Sequence, residues 1–170
     1  MKDHLLRYAS PLGGITVASD GTGLVGLWFD DQKYFGAGLC AEREERSDSV
    51  LELAARWLDF YFSGKDPGFV PPLSLRTTPF RAAVVEALQE IPYGRTTTYK
   101  EIAARLSDGG RRTSARAVGG AVGHNPISLV VPCHRVIGSD GSLVGYAGGL
   151  DRKARLLAVE GVEISALLGR

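Results

Sequence analysis

Cysteine is scarce in this chain: Cys40 and Cys133 are the only two among 170 residues. A disulfide-stapled scaffold is therefore not expected, and a reducing compartment, the cytoplasm, fits better. Two cysteines and three histidines (His4, His124, His134) show no paired ligand spacing, so no metal site is expected. Long apolar runs are missing too. The longest candidate, Ile127 to Cys133, is interrupted by Ser128 and Pro132, far short of the roughly 18 residues of a membrane span. The opening MKDHLLRYASPLGG mixes acid and base and has no apolar signal core, so neither export nor a membrane partner is expected. Internal repeats and low-complexity tracts are absent. What is present is a 44% hydrophobic chain, too apolar for disorder and long enough for one or two domains of about 100–200 residues.

The net charge of +1 hides an asymmetry. Residues 1–75 hold 7 Lys and Arg against 11 Asp and Glu, a net −4; residues 76–170 hold 13 against 8, a net +5. A polyanion attracts a basic half and repels an acidic one. Arg111, Arg112 and Arg116 stand close together in the basic half. On charge alone, compositional scatter is an equal reading.

Residues 4–9, 14–19 and 24–30 read as strands divided by Pro-Gly and Asp-Gly turns, a small antiparallel meander. Residues 31–48 read as a polar loop. Ser49 with Glu52 fits a capping box, and Leu51, Ala54, Ala55, Leu58 and Phe62 recur at helical spacing up to Gly64. Three prolines between 65 and 75 mark an extended linker. The boundary falls there, giving an N-terminal α/β domain over 1–76 and a C-terminal domain over 77–170.

The second half reads as mostly helical. Thr78-Pro79 is an N-cap with proline at the first position, and Phe80, Val84, Leu88 and Ile91 form one stripe. Thr98 with Glu101 is a capping box for a helix burying Ile102, Ala103 and Leu106. A third helix starts at Thr113 or Ser114 and ends near Gly123. Two short helices joined by a turn, the second led by arginine, suggest a helix-turn-helix, although a generic helical pair is commoner. Against the commoner reading, the second helix contains Gly119 and Gly120, each costing about 1 kcal/mol relative to alanine. Such residues suit a close approach by something large, either a nucleic-acid groove or a packed neighbouring strand. Residues 127–131 read as a short strand into Pro132-Cys133-His134-Arg135, and a last helix runs from an Asp151 N-cap to about Glu160.

Cys133 carries the chemistry. Cysteine reacts as its thiolate, and a nearby base or cation lowers its pKa. His134 can supply that base, directly or through a water. Neighbouring side chains of an extended chain point oppositely, so a bridging water or a turn at Pro132-Cys133 is needed. Glu160 fits as the group orienting the other ring nitrogen. Most lone cysteines are inert buried thiols, and composition alone favours that.

Pro132-Cys133-His134-Arg135-Val136 resembles the active-site signature of the O6-alkylguanine-DNA alkyltransferases. Further stretches are similar to that family in the same order: Ile91-Pro92-Tyr93-Gly94, Thr98-Tyr99, Ala115-Arg116-Ala117-Val118-Gly119, Asn125-Pro126, Gly145-Tyr146-Ala147-Gly148-Gly149 and Glu160-Gly161. Ser10-Pro11-Leu12-Gly13 and Tyr61-Phe62-Ser63-Gly64 extend the likeness to the first half. The resemblance implies an α+β protein whose C-terminal domain contains a winged helix-turn-helix for DNA binding and alkyl transfer. The implied reaction is a single, irreversible transfer from O6-alkylguanine, or O4-alkylthymine, in duplex DNA, with the base flipped out through the minor groove and no cofactor.

By the same resemblance Cys133 is nucleophile and acceptor, His134 the base, Glu160 its orienting partner and Tyr99 a phenol donating to the guanine ring nitrogen. Arg116 fills the gap left by the flipped base. Ser114, Ala115, Ala117, Gly119, Gly120 and Arg112 are the other expected DNA contacts. Tyr146, Ala147, the Val136 and Cys133 carbonyls and the Asn125 hinge line the expected pocket. The expected form is a monomer, with cooperative binding along DNA left open. Two rivals remain: a sensor that binds alkylated bases without reacting, and a cysteine hydrolase that turns over repeatedly.

Overall fold

The computed structural model describes residues 1–165; the last five positions of the expected second domain, 166–170, lie outside them. The chain forms two compact units. One is Met1–Arg76 with Pro126–Val130; the other is Thr77–Asn125 with the described residues from Val131 onward.

The first unit is built on a four-stranded sheet of order β3-β2-β1-β4. Strands β1 (Asp3–Ser10), β2 (Gly13–Ser19) and β3 (Leu24–Phe29) are antiparallel. Strand β4 (Arg43–Glu45) lies parallel to β1. The sheet is therefore mixed, and β4 falls in a stretch whose charge suggests a loop. An edge strand is bonded along one side only, so its charged side chains stay in water. Lys2 and Arg7 meet Glu44 and Glu45 there at 2.7 and 2.9 Å.

Helix α1 (Ser49–Phe62) packs on β1 and β2. Its buried face runs through Leu51, Ala54, Leu58 and Tyr61, with Trp57 stacked on Tyr61 at 5.2 Å; Ala55 and Phe62 are only half-buried. The cap is Asp48, one residue before the expected Ser49. Asp48 Oδ1 accepts from Leu51 N–H at 2.9 Å, while Oδ2 meets the His4 ring at 2.7 Å and the Ser19 hydroxyl at 2.9 Å. Partners from β1 and β2 thus decide between two adjacent residues that both suit a cap. Arg76 closes the unit, donating to the fully buried Asp3 carboxylate at 2.7 and 2.9 Å.

The expected strand over 127–131 does not form. Ile127 makes one bridge to Leu27, held by Leu27 N–H to Pro126 O at 2.9 Å and Ser128 N–H to Leu27 O at 2.9 Å. The chain then turns, with Leu129 at φ 69, a region that ends any strand.

In the second unit α2 (Pro79–Gln89) packs against α3 (Tyr99–Asp108) and α4 (Ala115–Gly123). Thr78, Thr98 and Ser114 cap the three helices, and Thr98 with Glu101 closes a complete capping box. Helices α3 and α4 and their short turn are the helix-turn-helix pair. Strands β5 (Thr97–Thr98) and β6 (Val136–Ile137) pair in parallel. Helix α5 (Leu150–Val159) begins from Gly149 at φ 92 with no side-chain cap, so Asp151 sits in its first turn rather than at the N-cap.

Candidate active site

The site grows from one short turn. Cys133–Arg135 is a single 3-10 turn following Pro132, closed by Val136 N–H donating to Cys133 O. The turn replaces the extended chain that would have sent Cys133 and His134 to opposite sides. All three side chains are buried, and α5 packs against the turn.

Glu160, just after α5, organises this turn. Its Oε1 meets His134 Nε2 at 2.6 Å. Arg135 donates to both carboxylate oxygens at 2.8 and 3.0 Å, and Gly94 N–H to Oε2 at 3.0 Å. The guanidinium also donates to Ile91 O at 2.8 Å and lies 5.7 Å from the Tyr93 ring centre. Burial raises the Glu160 pKa, but the His134 bond and the Arg135 charge outweigh it and hold the carboxyl down at about 2. An ionised carboxylate only accepts hydrogen bonds. His134 Nε2 therefore carries the proton, and Nδ1 is the basic nitrogen. Burial lowers the His134 pKa, against the upward pull of the Glu160 bond and charge, so the ring is neutral.

Burial pushes the Cys133 thiol up. A hydrogen bond from Asn125, the Lys153 charge and backbone N–H groups pull it back in part. Asn125 also donates to Val131 O at 3.0 Å, which fixes its amide beside the turn. Tyr99, the first residue of α3, donates its hydroxyl to Val144 O at 3.0 Å. Burial and then the Cys133 charge raise its pKa to about 12, so the phenol keeps its proton and remains a donor. A Cβ placed on Gly145 would come within 3.4 Å of the Tyr99 hydroxyl, and Gly145 has φ 62; a bare glycine suits both conditions.

Cys133, His134, Glu160, Asn125 and Tyr99 thus converge, while Tyr146 and Ala147 sit half-buried on the following loop. The Val136 carbonyl is already taken by the Lys153 ammonium at 2.5 Å. Cys133 O is likewise engaged by Val136 N–H. A carbonyl has two lone pairs, so each can still accept once more.

The expected DNA contacts do not share one face. Ala115, Arg116 and Gly119 line a cleft of about 310 Å3 with Tyr99, Lys100 and Ser139. Ala117 and Gly120 open instead onto a second cleft of about 250 Å3 with Arg81 and His124. Ser114 is exposed at the N-cap of α4, and Arg112 is exposed in the turn before it. A Cβ on Gly120 would meet nothing within 4 Å, and one on Gly119 only the Tyr99 ring at 3.8 Å. Packing inside the protein therefore does not account for either glycine.

Sequence reasoning missed two cations. Arg135 stands inside the motif, but its service to Glu160 has no local signal. Lys153 is fully buried and donates to Val136 O, Val144 O and Gly145 O at 2.5, 2.8 and 3.1 Å. It lies four residues before Leu157 and seven before Glu160, on the buried stripe of α5, and that spacing was a usable signal. Among the described residues no three His, Cys, Asp or Glu side chains group to hold a metal, and no helix is long and apolar enough to cross a membrane.

Comparison with known proteins extends these observations to the whole chain. Residues 79–162 match the model of the 6-O-methylguanine DNA methyltransferase DNA binding domain, and residues 6–75 that of the same family's ribonuclease-like domain. A methylated-DNA–protein-cysteine methyltransferase of Saccharolobus islandicus is 44% identical over 157 residues, covering 92% of this chain and 95% of the relative. One from Mycolicibacterium paratuberculosis is 46% identical over 153 residues, covering 89% and 88%. The crystal structure of Mycobacterium tuberculosis OGT in complex with DNA is similar at TM-score 0.78 and 40% identity, covering 94% of this chain and 92% of that one. With the thiol turn, the buried His-Glu pair and the helix-turn-helix in one unit, and with both family models matched in order, the chain belongs to the 6-O-methylguanine DNA methyltransferase family.

Proposed function

We propose that this protein repairs alkylated DNA directly, moving the alkyl group from O6 of guanine onto Cys133 once per molecule. The observation that carries this reading is the 2.6 Å link from Glu160 to His134 on the same turn as Cys133. It supplies a nucleophile, a neutral base with its lone pair on Nδ1, and the carboxylate that fixes the tautomer.

His134 takes the Cys133 proton through a water. The sulfur forms a bond to the alkyl carbon as the C–O6 bond breaks, and that electron pair passes to the purine. Tyr99 leaves Val144 O and donates to the purine ring, so the leaving group never bears a full charge in a dry pocket. The proton held by His134 returns to the purine, which ends as guanine. The balance is one thiol and one alkylguanine consumed, one thioether and one guanine formed, and no cofactor is required.

The second unit carries both the DNA contacts and the transfer. Duplex DNA docks on α4; Arg116 occupies the place of the extruded base, with Ala115 and Gly119 beside it and Arg112 and Ser114 near phosphates. The base enters against Tyr146, Ala147 and Val136, with Asn125 as hinge. The protein works as a monomer in the cytoplasm. O4-alkylthymine presents a similar alkyl–oxygen bond and is a second substrate.

Stoichiometry tests the reading. Incubated with excess duplex containing one O6-methylguanine, the protein should restore one guanine per molecule and then stop. Continued turnover would point to a hydrolase, and lesion binding without restoration to a sensor.

Arg116→Ala separates flipping from chemistry. Extrusion costs a few kcal/mol, so losing the side chain that replaces the base should slow repair in duplex by roughly tenfold or more. Transfer from the free base O6-methylguanine should stay within about twofold. Equal losses on both substrates would remove Arg116 from the flipping step.

A further inference from the structure

Lys153 is a buried cation of this site that the reaction above leaves unused. It is fully buried, and among the described residues no carboxylate pairs with its ammonium. Its three N–H groups are spent on three carbonyls, Val136 O on β6 and Val144 O and Gly145 O on the loop that follows. A buried charge is costly unless hydrogen-bonded and compensated. The hydrogen bonds are complete, but a resident anion is missing.

The charges facing it show what completes the balance. Glu160 is matched by Arg135. His134 is neutral, and the Lys153 charge helps to keep it so. Tyr99 reaches the same carbonyl, Val144 O, but stays protonated. The remaining titratable group is Cys133, whose turn Lys153 holds: the ammonium donates to Val136 O, and Val136 N–H closes the turn on Cys133 O. A thiolate there favours the ammonium, and the ammonium favours the thiolate.

We propose that Lys153 is the positioning residue and internal counter-charge of the Cys133 thiolate, tying the end of the active-site turn to the loop that faces Tyr99. The proposal rests on Cys133 as alkyl acceptor. Its three-carbonyl clamp also explains how Tyr99 can be released to substrate. When the phenol leaves Val144 O, the ammonium still donates to that oxygen, so no buried acceptor is stranded. Burial lowers the Lys153 pKa to about 8, so the ammonium persists at neutral pH while its charge remains sensitive to a nearby anion.

The test needs no DNA, so it stands apart from the repair reading. The rate of Cys133 carboxamidomethylation by iodoacetamide is measured against pH in the wild type, Lys153→Gln and Lys153→Arg, with thermal melts as a fold check. In Lys153→Gln the thiol midpoint should rise by about one unit or more, roughly tenfold less thiolate at a fixed pH below both midpoints. Lys153→Arg should restore much of the loss. Superimposable profiles would overturn the proposal, since a purely structural clamp does not move the thiol midpoint.

A second measurement uses the wild type alone and holds even if a variant fails to fold. The Lys153 Nζ resonance is followed through the thiol midpoint, before and after Cys133 is alkylated. Coupled groups titrate together, so an inflection at the thiol midpoint that vanishes on alkylation is expected. A lysine curve blind to the thiol in both forms would contradict the assignment.

Discussion

Cys133→Ser should stop alkyl transfer altogether while lesion binding and folding persist. The hydroxyl fits where the thiol sits and can accept from Asn125, the side chain that hydrogen-bonds the wild-type sulfur. Stability should therefore change by no more than about 1.5 kcal/mol. The chemistry does not survive the exchange. An alcohol is far harder to ionise than a thiol, and His134, its own pKa lowered by burial, is too weak a base to make an alkoxide. Incubation with O6-methylguanine duplex, read by guanine restoration and by a binding titration, checks both halves. Residual transfer would place the acceptor elsewhere. Lost binding with an unchanged melt would mean that the thiol also holds the base.

Glu160→Gln should be the most destabilising change in the site. The carboxylate neutralises Arg135 and receives His134, Arg135 and Gly94. Removing one partner of a buried ion pair costs about 3–5 kcal/mol, which in a chain of this size lowers the melting temperature by roughly 6–20 °C. Transfer should slow as well, because the amide no longer dictates the His134 tautomer. The pH dependence has a definite sign. The Glu160 pKa is held down at about 2, below its ordinary value of 4.5, so its contribution is full above pH 4.5 and drains away as pH falls toward 2. The gap between wild type and variant should therefore narrow on acidification from pH 5 to pH 3. A variant melting within about 2 °C of wild type at pH 7 would show that the network contributes little.

Features built from neighbouring residues could be read from the sequence. Thr78, Thr98 and Ser114 cap their helices through hydroxyls that reach a backbone N–H three residues on, so the order of residues suffices. Ile102 and Ala103 are buried on α3 by the same local logic, with Leu106 half-buried beside them. Errors arose where a distant partner decides. His4 and Ser19 select Asp48 over Ser49. Leu27 captures Pro126 and Ser128 backbone groups and diverts an apolar run that reads as a strand. Strand β4 is paired to β1 by register alone, with no apolar pattern to announce it.

The candidate site divides in the same way. Cys133 and His134 are neighbours in sequence, and their motif names them at once. Glu160 stands 26 residues from His134, so composition and spacing could only suggest it; the family likeness supplied the pairing. Arg135 escaped because its main partner, Glu160, stands 25 residues away, and Lys153 because its partners are backbone carbonyls, which carry no residue identity. Only its place on the buried stripe of α5, in line with Leu157 and Glu160, sets this lysine apart in sequence.

The most direct test of the account is intact-protein mass spectrometry after incubation with duplex DNA bearing one O6-methylguanine, followed by peptide mapping. The account predicts a gain of one methyl group, saturating at one per molecule and confined to the peptide that holds Cys133. An unmodified protein after complete lesion binding, or a methyl group on any other peptide, would contradict it.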